Sequence, residues 1–235
     1  YTHTSEVATL VDVPELARGE GGFGKHEIVG CVDHAVVRLE DGSLLAGLYG
    51  RFIADVKYRV FLVRSSDSGK TWRYLSTVAF DLTAGNEHRA ESFCEPDLLV
   101  LPSGDILCFM RTGGTYNSTF SPLYLSRSID GGKSWSHADP IADRGVWPNA
   151  CLMANGVIAV TCGRTGDWLA FSLDQGHTWI GHFCFYRGPQ AYDGCNYDWV
   201  EEVAPDTLLV AYARTEVNDC GQSEILGTYM EVKRT

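Results

Sequence analysis

One eight-residue phrase occurs three times in this chain, and this repetition restricts the fold more than any other feature. The shared positions read Ser-x-Asp-x-Gly-x-(Thr/Ser)-Trp, and the copies are Ser65–Trp72, Ser128–Trp135 and Ser172–Trp179. Each copy follows a short apolar run. A unit repeated in this way is typical of propellers, solenoids and arrays, in which every repeat is one small supersecondary unit.

The phrase has the chemistry of a tight turn between two strands. An aspartate carboxylate can accept hydrogen bonds from backbone N–H groups, and glycine can adopt the positive φ that other residues resist. The tryptophan that follows can pack against a neighbouring sheet while its indole N–H finds an acceptor. Ser, Asp and, in the third copy, His177 could also suggest catalysis. We favour the structural interpretation, because an active site needs convergence on one place whereas these turns recur once per unit.

Short β-rich runs separated by turn residues surround each copy of the phrase. The dipeptide Asn155-Gly156 is a strong hairpin signal, and no segment has convincing helical periodicity. Four antiparallel strands per unit are what a β-propeller blade requires. We therefore predict one all-β propeller domain over residues 1–235, with a β-sandwich of similar strand count as the alternative. The predicted blades are residues 31–80, 94–140, 147–186 and 195–235, and residues 4–13 are predicted to be the outer strand of a preceding blade.

The composition limits the classes of partner. With 235 residues, 45% of them hydrophobic, the chain can bury a sizeable core, and no apolar stretch approaches the roughly 18 residues of a membrane span. A net charge of −11 would repel phosphate backbones, so nucleic acids are not expected as partners, and an anionic ligand would need a local basic cluster. The eight cysteines are scattered and lack metal-binding spacing, so we expect mostly buried free thiols and no metal site.

Arginine recurs at one place in the predicted blades, directly after the second apolar run. In a propeller the inner strands converge on one mouth, so residues at their ends meet in space although they are far apart in sequence. A guanidinium group binds a carboxylate through a planar fork, so an arginine cluster in an acidic protein suggests an anionic sugar as ligand. Each arginine could instead pair with surface acids, and we favour that for the first and the last of the four. They are Arg51, Arg111, Arg164 and Arg214.

The repeated phrase resembles the Asp box, or bacterial neuraminidase repeat, of the sialidase superfamily, and three copies in register make the resemblance specific for the fold. The segment from Glu95 to Arg111 is similar to the sialidase blade with a glutamate at the start of its inner strand and an arginine at the end of the next strand. The run that ends at Arg164 resembles the following blade, and the segment around Tyr197 resembles the one with the nucleophilic tyrosine. The resemblance covers nearly the whole chain from residue 30 onward. It implies a six-bladed propeller, of which about four blades lie in this chain.

The resemblance further implies an exo-α-sialidase, a retaining glycoside hydrolase that releases terminal sialic acid and needs no cofactor. Tyr197 would be the nucleophile and Glu95 its base, while Arg111 and Arg164 would bind the substrate carboxylate. A phenol suits this substrate, because the anomeric carbon of a sialoside bears a carboxylate that would repel a carboxylate nucleophile. Since the ordinary pKa of a phenol is about 10, a base must remove its proton. Tyr197 as a wall residue of the channel and Glu95 as a turn acid are the structural alternatives.

Two parts of the family's site have no counterpart in this chain. The first arginine of the family's triad stands in an Arg-Ile-Pro-like phrase, soon followed by a loop with the acid/base aspartate, and the closest segment here has Asp33 instead of that arginine. Because the chain starts at Tyr1 and not at Met, we expect an excised piece that lacks about two preceding blades, or else a protein that has lost the activity.

Two further functions therefore stay open. One is a non-catalytic propeller that binds anionic glycans, and the other is a hydrolase or lyase that acts on another acidic sugar. The substrate class favours a secreted or periplasmic protein, and the sequence does not predict an oligomeric state.

Overall fold

The computed structural model describes residues 10–13, 34, 36–53, 55–85, 91–113, 121–163, 166–187, 197–214 and 224–234. These residues form strands and turns, and no helix is found among them. Their sixteen strands lie in four separate sheets. Short runs rich in β-branched and aromatic residues, punctuated by glycine-containing turns, favour this all-β outcome.

Each sheet is built almost wholly from strands that follow one another along the chain. The first sheet has the order β1-β5-β4-β3-β2 and contains β1 (Leu10–Asp12), β2 (Val37–Arg38), β3 (Leu44–Gly50), β4 (Arg59–Ser65) and β5 (Thr71–Ala79). The second contains β6 (Phe93–Val100), β7 (Ile106–Thr112), β8 (Leu123–Ser128) and β9 (Asp139–Ala142) in sequence order. The third contains β10 (Val146–Leu152), β11 (Ile158–Gly163), β12 (Asp167–Ser172) and β13 (Ile180–Tyr186), and the fourth contains β14 (Trp199–Ala204), β15 (Thr207–Arg214) and β16 (Glu224–Glu231).

The sheets stack face to face in the order of the sequence. Strand β6 contacts both β3 and β10, and β10 contacts β14. An apolar layer lies between each two successive sheets. Strand β7 contributes to two of these layers, because Ile106 and Met110 point to the first sheet while Leu107 and Phe109 point to the third. Its middle is therefore buried on both faces, which explains why this strand reads as an uninterrupted apolar run.

The three copies of the repeated phrase form the same hydrogen-bonded turn. In the first copy the Thr71 amide and hydroxyl donate to the two carboxylate oxygens of Asp67 at 2.9 and 2.7 Å, and the Gly69 amide donates to Ser65 Oγ at 2.9 Å. The same bonds recur in the second copy around Asp130 and in the third around Asp174. The bonds from Thr71 lower the pKa of Asp67 to about 2. The predicted hydrogen bonding of this turn is confirmed.

The second and third turns dock onto the sheet that precedes them. In the second, the indole N–H of Trp135 donates to Ser76 Oγ of the first sheet at 3.1 Å. In the third, Trp179 packs edge to face on Phe109 of the second sheet, with ring centroids 5.5 Å apart. These turns are thus contacts between sheets as well as hairpin connections.

Replacing Gly176 of the third turn with alanine should destabilise the protein more than the same change at Gly69 of the first. Both glycines have a φ of +86°, so the backbone strain of the two variants is equal. A Cβ at Gly176 would lie 2.8 Å from Cδ1 of the fully buried Leu107, whereas the nearest atom at Gly69 is 3.7 Å away. We expect Gly176→Ala to lower the free energy of unfolding by about 1–3 kcal/mol more than Gly69→Ala, measured by urea denaturation. Equal losses would show that the turn does not pack tightly on the second sheet.

Strand β1 corrects one expectation from the sequence. Residues 4–13 were predicted to be the outer strand of a preceding blade, but the described part, Leu10–Asp12, pairs in parallel with β5 of the first sheet. The outer strand of a sheet exposes unpaired N–H and C=O groups, and β1 covers that edge. The first sheet consequently has five strands.

The described cysteines are free thiols, as expected from the sequence. They are Cys94, Cys108, Cys151, Cys162 and Cys184. Cys31, Cys195 and Cys220 lie outside the described residues. Within the described ranges, no helix has the length and hydrophobicity needed to cross a membrane.

Candidate active site

Three successive inner strands have a residue of positive φ near their start. Glu95 has a φ of 52°, Trp147 of 51° and Tyr197 of 22°. Each stands nine residues ahead of a positive-φ residue in the following hairpin turn, and we call this place in the repeat the site position. Non-glycine residues rarely adopt such a φ, and residues that do so cluster at functional sites. The turn residues that define the register are Gly104, Gly156 and Asp206.

Glu95 is held by a partly buried arginine. Arg111 Nε donates to Glu95 Oε2 at 2.7 Å and Arg111 Nη2 donates to Oε1 at 2.5 Å. The side chains of Arg111 and Glu95 are 14% and 7% exposed. The register of β6 and β7 shifts between Cys94 and Asp97, so a bulge re-aims Glu95 toward the arginine. Although burial alone would raise it, the guanidinium and the other donors hold the pKa of Glu95 below its ordinary value, and the group is a carboxylate at neutral pH.

Trp147 links Glu95 to the next sheet. Its backbone amide donates to Glu95 Oε2 at 2.8 Å, and the register of β10 and β11 shifts between Val146 and Asn149. Two neighbouring inner strands therefore bulge at the same position of the repeat. The indole of Trp147 lies against two rings, with centroid distances of 4.7 Å to His34 and 4.3 Å to Tyr197.

Tyr197 is the exposed member of this group. The residue is 60% exposed, and its ring meets Trp147 edge to face at an interplanar angle of 74°. Glu95 and Tyr197 thus contact the same residue, the first through the Trp147 amide and the second through the indole ring. The structure brings the predicted nucleophile and the predicted base to Trp147.

A buried histidine lies behind this group. The side chain of His34 is 2% exposed, and its Nδ1 lies 3.8 Å from Asp97 Oδ1. Burial lowers the pKa of His34 to about 4, against the opposing effect of the Glu95 carboxylate. Burial also raises the pKa of Asp97 to about 7. The imidazole is neutral at neutral pH, so Arg111 is the cation that faces Glu95.

Asp198 adds a further buried carboxyl directly after the exposed tyrosine. It is 3% exposed, and burial together with the nearby Asp167 raises its pKa well above the ordinary value.

The other predicted arginines contribute less to the described site. Arg51 follows β3 and acts electrostatically on the buried Tyr58. Arg164 and Asp33 lie outside the described residues, and of Arg214 only the backbone is described. Within the described ranges, no group of three or more His, Cys, Asp and Glu side chains could hold a metal ion.

Sequence reasoning pointed to Glu95, Arg111 and Tyr197 and missed the residues that join them. Trp147 could have been found by counting nine residues back from Gly156, as for Glu95 and Gly104. Asp97 and Asn149 occupy matching places in two repeats and could have been found in the same way. Nothing in the sequence signals that His34 is buried against them.

Solved structures similar to this chain have propeller folds of the sialidase type. They include a protein of unknown function from Dyadobacter fermentans, with a TM-score of 0.71 and 21% identity over 87% of this chain and 54% of that one. The Hadza microbial sialidase has a TM-score of 0.60 and 20% identity over 84% of this chain and 45% of its own. An α-L-arabinofuranosidase from Fusarium graminearum has a TM-score of 0.57 and 16% identity over 83% of this chain and 60% of its own.

This chain thus spans about half the length of the structures it resembles. At these identities the likeness concerns the fold, and it confirms the predicted all-β propeller of the sialidase type. A comparison with curated protein sequences finds no match.

One family comparison covers most of the chain. The BNR repeat-like domain matches residues 17–216, a span that contains all three repeated turns and the three site positions. This match confirms the resemblance that the turn sequences indicated. The chain belongs to the BNR repeat-like domain family.

Proposed function

We propose that the protein is a glycoside hydrolase of the sialidase-like fold, in which Tyr197 attacks the anomeric carbon of a terminal sugar and Glu95 takes the phenolic proton. The observation that carries this proposal is the arrangement around Trp147. Its indole contacts the exposed phenol-bearing ring of Tyr197, and its amide binds the ionised Glu95. An exposed nucleophile and an ionised base that contact one residue supply the two groups that covalent catalysis requires.

The proton transfer follows from the charge of Glu95. Because the carboxylate is ionised and its pKa is low, it takes the proton only as the bond between Tyr197 Oη and the anomeric carbon forms. As this bond forms, the bond between the anomeric carbon and the aglycone oxygen breaks, and the aglycone takes its proton from an acid that is not among the described residues. Water later hydrolyses the aryl glycoside with retention. The chain has no counterpart of the phrase that precedes the family's acid/base aspartate, so the proposal concerns the nucleophilic half of the reaction.

Sialic acid is the substrate that best fits a tyrosine nucleophile. A phenol avoids the repulsion between a carboxylate nucleophile and the substrate carboxylate. The Glu95 bonds use Nε and Nη2 of Arg111, whose side chain is 14% exposed, and we propose Nη1 as the donor to the sugar carboxylate. Arg164 remains the predicted second partner of that carboxylate.

A neutral terminal sugar is the second candidate substrate. Two of the three nitrogens of Arg111 already bind Glu95, and the buried His34 is uncharged at neutral pH. The positive charge available to an anion within the described site is therefore small. The arabinofuranosidase from Fusarium graminearum shares the fold, so an arabinofuranoside is the neutral sugar to test.

A panel of substrates tests the proposed function. We expect the full-length protein to release the fluorescent alcohol from an aryl α-sialoside, at a rate at least tenfold above that with an aryl α-L-arabinofuranoside. The reverse preference would support the neutral sugar. Preferential cleavage of a uronate oligosaccharide would support the other acidic sugar, and heat of binding with sialyllactose without any product would support a glycan-binding propeller.

A further inference from the structure

The same hydrogen bond joins neighbouring inner strands twice. Asp97 and Asn149 each stand two residues after a site position, and we call this place the clamp position. Asp97 Oδ2 accepts from the Ala150 amide at 2.7 Å, and Asn149 Oδ1 accepts from the Val200 amide at 2.8 Å. Ala150 and Val200 occupy one place in the repeat, three residues after their own site positions.

The two bonds form a continuous chain across three sheets. Asn149 Nδ2 lies 3.4 Å from Asp97 Oδ2. The carboxylate oxygen that accepts from the Ala150 amide is thus also in contact with Asn149, which accepts from the Val200 amide. Asp97, Asn149 and Val200 are 4%, 3% and 1% exposed. In such surroundings water does not compete for the bonds, and leaving a partner unsatisfied is costly.

These bonds act directly under the site. Apolar side chains supply most of the contact between successive sheets, and such contacts are not directional. Hydrogen bonds, in contrast, fix the height of one strand relative to the next, that is, its position along the strand axis. Each clamp residue is two positions from a site residue on the same strand. The height of Tyr197 relative to Trp147, and of Trp147 relative to Glu95, therefore depends on the clamp bonds.

We propose that Asp97 and Asn149 are positioning residues, which hold Glu95, Trp147 and Tyr197 in register across three sheets. Their part in catalysis rests on the proposed function, while the positioning itself does not. Loss of the Asn149 bond releases the start of β14 and moves Tyr197 off Trp147. A displacement of about 1 Å in a reacting group can lower the rate by about a hundredfold.

The test compares two asparagines that both tie the third sheet to the fourth. Asn149→Ala removes the clamp bond. Asn155→Ala removes bonds from Nδ2 to Asp206 Oδ1 (2.7 Å) and to the Val232 carbonyl (2.9 Å), which lie at the hairpin turn away from the site. The full-length variants carry 3-fluorotyrosine, and the Tyr197 fluorine resonance is assigned by its absence in Tyr197→Phe.

In Asn149→Ala we expect the Tyr197 resonance to lose the shift caused by the Trp147 ring, and we expect kcat to fall about tenfold to a hundredfold with KM changed less than threefold. Asn155→Ala should leave both the fluorine chemical shift of Tyr197 and kcat unchanged. An unchanged Tyr197 resonance in folded Asn149→Ala would overturn the proposal. So would an equal displacement in both variants, since that would indicate a general loosening of the sheets.

A second pair of variants covers the case in which Asn149→Ala does not fold. Asp97→Asn keeps an oxygen that can accept from the Ala150 amide, whereas Asp97→Ala has none. Asp97→Asn should keep the fluorine chemical shift of Tyr197 and at least a third of the wild-type kcat. Asp97→Ala should change the chemical shift and lose most of kcat. If no substrate is turned over, the proposed function fails, and the resonance still decides whether the clamp positions Tyr197.

Discussion

Tyr197→Phe should lower kcat for the best aryl glycoside at least about 10³-fold, because the variant lacks the oxygen that bonds to the anomeric carbon in the proposed mechanism. The ring that contacts Trp147 is retained, so the affinity for substrate should change little. Since Tyr197 is 60% exposed, its hydroxyl should contribute within about 0.5 kcal/mol to the free energy of unfolding. Initial rates, calorimetric binding and thermal melting of the full-length protein measure the three quantities.

A second exposed tyrosine provides the control for this variant. Tyr229 on β16 is 69% exposed and lies away from Trp147 in the described structure, so Tyr229→Phe should keep wild-type rates. Hydrolysis by Tyr197→Phe at the wild-type rate would refute the nucleophile. A comparable loss in both variants would point to the assay and not to Tyr197.

Arg111→Met should destabilise the protein by about 3–5 kcal/mol, because it leaves the Glu95 carboxylate buried without its cation. The two side chains are 14% and 7% exposed, and both guanidinium bonds would be lost together. Glu95 would keep the bond from the Trp147 amide. Denaturation by urea at pH 8 measures the loss, and a variant as stable as the wild type would show that the pair is not effectively buried.

The pH dependence of Arg111→Met should identify the charge as the cause. In the wild type the pKa of Glu95 is lower in the folded than in the unfolded protein. The contribution of Glu95 to the free energy of unfolding is therefore complete above the ordinary carboxyl pKa of about 4.3 and is lost as the pH falls below that pKa. Without Arg111 the folded-state pKa rises above the ordinary value, so stability is lost as the pH rises. The difference in the free energy of unfolding between the wild type and Arg111→Met should therefore shrink as the pH is lowered from 8 to 5.5. In this range Glu95 gives the stability of the wild type no pH dependence.

A double variant completes this test. Glu95→Gln/Arg111→Met removes the buried charge as well as its partner, so it should recover part of the stability that Arg111→Met loses. Glu95→Gln could instead lower the free energy of unfolding equally in the wild type and in Arg111→Met. That result would show that the two residues act independently.

The sequence predicts the fold through its turns. Asp, Gly and Trp at fixed spacing encode one hairpin three times, and the intervening apolar runs are too short for helices, so an all-β propeller follows. The placement of β1 did not follow, because Leu10–Asp12 joins an edge through backbone groups that carry no sequence signature. The same holds for the five-stranded first sheet that results.

The candidate site was predictable where the residue type matches the chemistry. Glu95 and Tyr197 have functional groups that a mechanism requires, whereas Trp147 acts partly through its backbone amide, which any residue possesses. The positive φ of all three depends on the bulges and on the strands around them. The pairing of Arg111 with Glu95 could not be predicted either, because the sequence does not indicate where the guanidinium group of Arg111 points.

The docking of the second and third turns onto the sheets before them has a consequence for biosynthesis. When the turn at Gly132 leaves the ribosome, the Leu62 and Leu75 surface that receives it has already been made, and the turn at Gly176 likewise finds Leu107 in place. Domains generally fold as they emerge, from the amino terminus onward. The chain can therefore add one sheet after another in the direction of translation, and each new sheet covers the apolar face that the sheet before it presents.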